Sequence, residues 1–461
     1  MTDQHETYTT IIEDLDRKGT GRAKVWRDTG QVNPKKLKLF LPQTIPGEEV
    51  KVTVENPNLR WVKTLPDEIL KPDPHRTEPP CPHFDLCGGC VWQHWDYKGQ
   101  LGQKTKQVLN HLSNEGLDTS VLEQTIGMDE PWHYRNKMEF TFGQDGSLGM
   151  HEQGNYRNII SLDTCLIAGK QMVDGMLEVS EWAQTHQLSG YNKDEHTGLL
   201  RHLMIRQSFE TDEIMMGLFA TESPTEDLKE AAEDLVARIR ENHPNVKSLI
   251  WFVNTDWADR TQAEETHLLL GRDYIHDVMY GYHYRLWYDT FFQTNPKQAE
   301  KLVDLAIEMA KPQPNEKMID LFCGVGTFSL PFAKRVNALA GIEIVETSIE
   351  SAKRNAMDNE IYNTQFLAKD ARRGIDQVLE DFGKPELLLL DPPRSGAGGK
   401  VMRRIGRAEV DRVVYVSCNS ETFATDVSEL LPFGYKLEKV QPVDLFPHTH
   451  HVEVVSLLTR E

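Results

Sequence analysis

At 461 residues the chain exceeds what one ordinary hydrophobic core organises, so two or three domains are expected. Hydrophobic residues make up 39% and charged residues 26%, the balance of a globular chain, and no run of about 18 apolar residues offers a membrane-spanning helix. The N-terminal MTDQHETYTT lacks the basic and apolar regions of a secretory signal, so a cytoplasmic protein with no membrane partner is expected.

A net charge of −20 speaks superficially against a polyanionic partner, but steering depends on the local field. Between residues 17 and 38 eight basic residues (Arg17, Lys18, Arg22, Lys24, Arg27, Lys35, Lys36 and Lys38) face the single acid Asp28. They fall in a segment, 8–64, of short strand-like runs separated by Gly, Pro and Asn turns. Five or so such strands imply a small OB-like β-barrel over 5–64, a fold whose basic groove suits single-stranded nucleic acid. Trp26, Trp61 and Trp92 are candidate stacking surfaces, although packing in a core is the commoner fate of tryptophan.

Residues 65–100 are rich in proline and cannot form a long helix or a central strand. Three of the six cysteines, Cys81, Cys87 and Cys90, crowd into this segment, where ligation of a metal or cluster is a more natural reading than a disulfide. With Cys165 as a fourth thiolate the spacing accommodates tetrahedral zinc and a cubane equally. A helix is expected at 98–113. Residues 65–290 then read as a central α+β domain, with a hairpin across Gln144-Asp145-Gly146, strands in LLRHLMIRQS, EIMMGLFA and SLIWFVN, and helices at 170–186 and 225–242.

From about 291 to 461 five short apolar strands (MIDLFC, ALAGIE, QFLAKD, ELLLLD, RVVYVS) alternate with helical segments, the pattern of a doubly wound, Rossmann-like parallel sheet. The first strand runs into Cys323-Gly324-Val325-Gly326-Thr327. A dehydrogenase fingerprint is incomplete because Ser329 stands where its last glycine belongs. Successive strands end in Glu343, Asp370 and Asp391, which lines acids along one crevice: Glu343 for ribose hydroxyls and Asp370 for an adenine edge. Cys323 reads as a small buried residue behind the glycine loop. The fourth strand continues as Asp391-Pro392-Pro393-Arg394, with an arginine where an enzyme acting on exocyclic amines would carry a stacking aromatic. A carbon target needs another device. Uracil C5 is a weak nucleophile until a thiolate adds to C6, and Cys418, just past the fifth strand, can supply that thiolate if its proton is removed. The C5 proton must later leave to a base, for which Glu453 in FPHTHHVEVV is the candidate. Cys418 as a small buried hydrophobe and Glu453 as a strand-face acid are the plainer alternatives, and a metal reading of His448, His450 and His451 lacks a supporting ligand cluster.

Taken together, CPHFDLCGGC, YDTFFQTN, DLFCGVGTFSL, LLLLDPPRSGAG, VVYVSCNSETFATD and FPHTHHVE resemble the RNA (uracil-5-)-methyltransferases, in particular the bacterial 23S ribosomal RNA branch that carries a TRAM domain and a [4Fe–4S] cluster. The resemblance covers nearly the whole chain. It implies a C-terminal class I methyltransferase domain using S-adenosyl-L-methionine, held by Gln293, Phe322, Glu343 and Asp391 and more loosely by Asp370 and Thr327. It implies Cys418 as nucleophile, Glu453 as proton-abstracting base, Arg135 of HYRNK on the base, and Cys81, Cys87, Cys90 and Cys165 as cluster ligands. The expected partner is RNA: 23S rRNA first, tRNA as the alternative. A non-catalytic RNA-binding, ribosome-assembly protein is the rival from another class. The sequence is silent on which uridine is modified and on oligomeric state.

Overall fold

The computed structural model describes residues 5–27, 35–257 and 263–460. The chain divides into two compact units: Met1–Lys104 with Phe446–His450, and Thr105–Leu445 with His451–Glu461.

In the first unit, alternating polar and apolar residues make half-buried strands. β1 (Glu6–Ile11), β2 (Asp14–Leu15), β3 (Gly21–Arg27), β4 (Lys35–Leu41), β5 (Glu49–Val54), β6 (Trp61–Lys63) and β7 (Glu68–Lys71) form two sheets, ordered β1-β5-β7 and β2-β3-β4-β6. Their inward faces share one core of Ile12, Val25, Leu37, Leu39, Val50, Val52 and Val54. The proline-rich segment forms neither a long helix nor a central strand before Tyr97, but part of it is anchored by ordinary pairing. β7 pairs with β5 at a sheet edge, and Arg76 forms an ion pair with the fully buried Glu48 at 2.5 Å. Asp28 of the basic run lies outside the described residues. Arg22, Lys24 and Arg27 of that run are already paired with Asp14, Glu13 and Glu6, which weakens the local positive field the sequence suggested.

The second unit takes up most of α1 (Tyr97–Asn114) and two seven-stranded sheets. The first sheet is built from β8 (Lys137–Phe142), β9 (Leu148–Glu152), β10 (Asn155–Ser161), β11 (Leu200–Gln207), β12 (Ile214–Ala220), β13 (Val246–Val253) and β14 (Glu265–Gly271), with α2 (Lys170–Thr185) and α3 (Lys229–Asn242) packed on it. β8 and β9 form the expected hairpin. A short ribbon, β15 (Ile275–Met279) with β16 (Tyr282–Leu286), follows.

The second sheet begins after α4 (Pro296–Ala310). It contains β17 (Lys317–Leu321), α5 (Ser329–Ala333), β18 (Ala338–Glu343), α6 (Glu346–Asp358), β19 (Thr364–Ala368), α7 (Ala371–Asp381), β20 (Leu387–Leu390), α8 (Gly399–Ala408), β21 (Arg412–Ser417), α9 (Ser420–Ser428), β22 (Tyr435–Val443) and β23 (Glu453–Arg460). Strand order is β19-β18-β17-β20-β21-β23-β22. The five strands read from sequence are parallel and adjacent. β20, four consecutive leucines all fully buried, illustrates why: a strand covered on both faces reads as a continuous apolar run. Order reverses between β17 and β20, and there their carboxyl ends open a crevice. β23 enters antiparallel beside β21, an addition the alternating pattern did not foretell. Among the described residues no helix is long and apolar enough to cross a membrane.

Candidate active site

The glycine loop leaves β17 through three residues in the left-handed region: Phe322 (φ 65°), Gly324 (φ 52°) and Gly326 (φ 92°). The amides of Phe322 and Cys323 donate to the Ile342 carbonyl at 2.8 and 3.1 Å, and the buried Asn355 amide donates to the Val325 carbonyl at 3.1 Å. The loop is therefore held from two sides while its front stays clear. A β-carbon built on Gly324 would meet no atom within 4 Å, which is the room a ligand needs against bare backbone. Phe322 and Thr327 are half-buried on this loop and Cys323 is buried behind it. Beneath it lies Asp320, which the sequence reading passed over although an acid inside an apolar strand was the available signal. Its Oδ2 accepts from Ser329 Oγ at 2.5 Å, while its Oδ1 has no hydrogen-bond partner. Burial pushes its carboxyl up to about 7.

The acids at the strand ends are differently engaged. Glu343 accepts from the amides of Ile344 and Val345 at 2.8 and 3.0 Å, both on one carboxylate oxygen. Asp370 caps α7, accepting from the Arg372 amide and guanidinium at 3.2 and 3.3 Å; this helix-starting role was not anticipated. The Asp391 amide donates to the Leu321 carbonyl at 3.2 Å, joining the ends of β17 and β20. Desolvation, then the neighbouring charge of Asp320, raises the Asp391 carboxyl to about 7.

Cys418 and Glu453 are brought together by strand register. Ser417 of β21 is paired with Val454 of β23. In an antiparallel ladder the next residue on β21 therefore faces the previous one on β23. Glu453 is buried, and its carboxyl is raised to about 8 by desolvation and then by Asp391. The half-buried Cys418 thiol is pushed up to about 12, first by desolvation and then by Glu453 and Asp391, with Arg394 acting in the opposite direction. Asp320, Asp391, Glu453 and Cys418 thus form one chain of mutually repelling acidic groups, with Arg394 acting on its Cys418 end. The loop bearing the thiol is rigid. Asn419 caps α9 and donates to the Arg394 carbonyl at 3.0 Å. Asp426 accepts from Tyr415 Oη at 2.6 Å and from the Ala397 and Gly398 amides at 2.7 and 3.0 Å.

The motif FFQTN precedes α4, where Asn295 is N-cap and Pro296 opens the helix. Asn295 Nδ2 donates to the Leu445 carbonyl at 2.9 Å and Gln298 Nε2 to the Asp444 carbonyl at 2.8 Å, which fastens this motif to the chain leaving β22. The Asn136 amide donates to the Thr294 carbonyl at 2.9 Å, so HYRNK and FFQTN lie side by side. Between them opens a pocket of about 290 Å³ whose lining includes Arg135, Lys137, Arg206, Phe291 and Thr294. Phe291 is 71% exposed. Arg206 is buried with Nε and Nη1 unpartnered, and only Nη2 donates, to the Thr290 carbonyl. Gln293 is half-buried.

A family model described as tRNA (uracil-5-)-methyltransferase matches residues 96–461. The chain belongs to that family. Relatives similar over their full length include an uncharacterized RNA methyltransferase from Halalkalibacterium halodurans, 36% identical over 99% of this chain and 97% of that one. Another, from Caldanaerobacter subterraneus subsp. tengcongensis, is 33% identical over 99% of both. Among solved structures, Pyrococcus abyssi tRNA (uracil-54, C5)-methyltransferase in complex with S-adenosyl-L-homocysteine matches with a TM-score of 0.75 at 26% identity, across 98% of this chain and 99% of that chain. The protein is an S-adenosylmethionine-dependent RNA methyltransferase of the uracil-5 family. The open glycine loop and the row of acidic groups beside it fit a cofactor bearing a sulfonium and an ammonium.

Other expectations for this uracil-5 methyltransferase fare differently. Cys81, Cys87 and Cys90 belong to the first unit and Cys165 to the second, and all four are half-buried. Tight turns fold the first three, with the Cys87 amide donating to the His83 carbonyl at 2.7 Å and the Gly89 amide to Cys87 Sγ at 3.4 Å. Among the described residues no group of three or more His, Cys, Asp or Glu side chains is assembled to hold a metal ion. Trp26 and Trp61 are 62% and 59% exposed. Trp92 is not a stacking surface: it is buried against Ile45 and Trp95, its indole donating to the Gly19 carbonyl.

Proposed function

We propose that the enzyme methylates C5 of a uridine through a covalent adduct with Cys418. The observation that carries this reading is the antiparallel register that sets Cys418 opposite Glu453 at the end of the crevice. The Cys418 thiolate adds to C6 of the ring, and the electron pair of the 5,6 double bond moves to make C5 enolate-like. When bound, S-adenosylmethionine would supply an electrophilic methyl, which C5 takes while the S–CH3 bonding pair leaves on the sulfur of S-adenosylhomocysteine. Glu453, as carboxylate, then removes the C5 proton; the electrons re-form the double bond and expel Cys418 as thiolate. A raised carboxyl suits this duty, because general bases work best with a pKa near the working pH. Gln293, Phe322, Glu343 and Asp391, with Asp370 and Thr327 in looser positions, would hold the cofactor. Arg135 would meet the base in the pocket beside FFQTN, and unstacking that base costs a few kcal/mol.

The test is tritium release from 5-tritiated uridine in RNA. Cys418→Ala should abolish release while retaining RNA and S-adenosylhomocysteine binding; full turnover by this variant would exclude the covalent route. Ribosomal RNA is the substrate we favour, with the N-terminal strands acting as a TRAM-like barrel on flanking RNA. Three domains (5–64, 65–290 and 291–461) and a [4Fe–4S] cluster on Cys81, Cys87, Cys90 and Cys165 complete this reading. An amide N–H on Cys87 Sγ suits a thiolate ligand, and iron and acid-labile sulfide in anaerobically prepared protein would test the cluster against zinc. A specific observation favours the second reading, tRNA: the similarity to the Pyrococcus abyssi tRNA (uracil-54, C5)-methyltransferase extends over 98% of this chain, N-terminal module included. Mapping 5-methyluridine in rRNA and tRNA of a deletion strain separates the two.

A further inference from the structure

In a chain with net charge −20, one outer face is strongly cationic. On α8, Lys400, Arg403, Arg404 and Arg407 recur at i, i+3, i+4 and i+7, so they share one side of the helix. Val401, Met402 and Ile405 occupy the other side, in the core. α7 lies against α8 and contributes Arg372 and Arg373 from its first turn. Together they line an open groove of about 450 Å³ whose only acidic wall residue among the described residues is Asp376.

Part of this charge is answered within the protein. Arg372 pairs with Asp370 at 3.3 Å, Arg403 with Glu429 at 2.7 Å, and Arg404 with Asp376. Arg373, Lys400 and Arg407 are exposed and have no ion-pair partner among the described residues. A merely solvated helix face needs no such excess, and an acidic chain gains nothing in solubility from concentrating cations here.

We infer that the α7–α8 groove binds the phosphate backbone of the RNA substrate, outside the uridine pocket, through Arg373, Lys400 and Arg407. Charge complementarity identifies the occupant. Position supports it: α7 follows its N-cap Asp370 just beyond the carboxyl end of the parallel strand β19, so a strand whose uridine enters the crevice can continue along these helices. The inference rests on RNA being the substrate.

The experiment compares wild type with the triple variant Arg373→Gln, Lys400→Gln, Arg407→Gln, none of which touches the crevice chemistry. Binding of the methyl-acceptor RNA is measured between 50 and 200 mM salt, together with kcat and KM by tritium release. Three single-strand phosphate contacts carry a slope of roughly 0.7 each in log K against log salt, about 2 in all. Wild-type affinity should therefore fall about twentyfold more than that of the variant across this fourfold rise in salt. KM for RNA should rise in the variant at low salt with kcat kept. The charge-retaining variant Arg373→Lys, Lys400→Arg, Arg407→Lys should behave as wild type. Equal slopes and equal KM in wild type and the glutamine variant overturn the inference, as does an effect confined to an acidic protein partner with RNA binding untouched. Wild-type protein that neither binds nor methylates RNA would instead refute the parent reading, so the two failures are distinguishable.

Discussion

The reactivity of Cys418 offers a quantitative test of the crevice. Without ligand, burial and the charges of Glu453 and Asp391 raise its thiol to about 12 from an ordinary 9.0. At pH 8 the thiolate fraction is then about a thousandfold below that of an ordinary thiol, since each pKa unit is a factor of ten. A more basic thiolate is intrinsically more reactive, by roughly 0.4–0.5 log units per pKa unit, which recovers a little over one order of magnitude. Alkylation of Cys418 by iodoacetamide at pH 8 should thus run about fiftyfold slower than that of an exposed reference thiol. Peptide mapping by mass spectrometry, which separates Cys418 from the other five cysteines, measures it. Glu453→Gln removes one of the two nearby negative charges and should speed the reaction. S-adenosylmethionine should speed it relative to S-adenosylhomocysteine, which has nearly the same shape but lacks the sulfonium charge. Alkylation of the unliganded enzyme at the reference rate, or a Glu453→Gln variant no faster than wild type, would refute the electrostatic account.

Glu453→Gln should also accumulate an RNA adduct stable to denaturing electrophoresis, because the ring is methylated but the C5 proton has no acceptor; normal turnover without adduct removes Glu453 from that role. Gly324→Val should weaken S-adenosylhomocysteine binding at least tenfold by calorimetry, as its side chain enters the space before the loop. Its left-handed φ of 52° should cost roughly 1–2 kcal/mol in a thermal melt. Stability should fall as pH rises from about 4 through about 8, because Asp320, Asp391 and Glu453 all titrate higher in the folded chain than unfolded. The folded state keeps protons that the unfolded state has lost, and the deficit is complete above the folded values. Melting curves across this range, with Glu453→Gln showing a shallower decline, check the sign.

What the sequence revealed depended on how locally each feature is determined. β17, β18, β20 and β21 were legible because burial on both faces forces apolar runs, and Asn295-Pro296 carries its own helix-start chemistry. β22 mixes Lys436, Glu438, Lys439 and Gln441 into a strand, and β15 and β16 are only five residues each with His276, Asp277, His283 and Arg285 among them, so tertiary pairing rather than composition makes them strands. Asp320 escaped notice because its importance comes from lying beneath a loop, which sequence spacing does not reveal. The nearness of Cys418 and Glu453, 35 residues apart in the numbering, was a resemblance until the register of β21 with β23 supplied a geometric cause. Trp92 failed as a surface residue because Ile45 and Trp95, with Leu15 and Val91, close around it.

The reversed direction of β23 has a consequence for tolerance to change. Two groups that face each other just past the last pair of a hydrogen-bonded ladder keep their separation as long as the ladder holds, whatever the length of the chain that links its strands. Changes of length between Val443 and Glu453 therefore leave the pairing of β21 with β23 in place. In this architecture the loop between β22 and β23 can vary in length while the ladder beside β21 stays fixed.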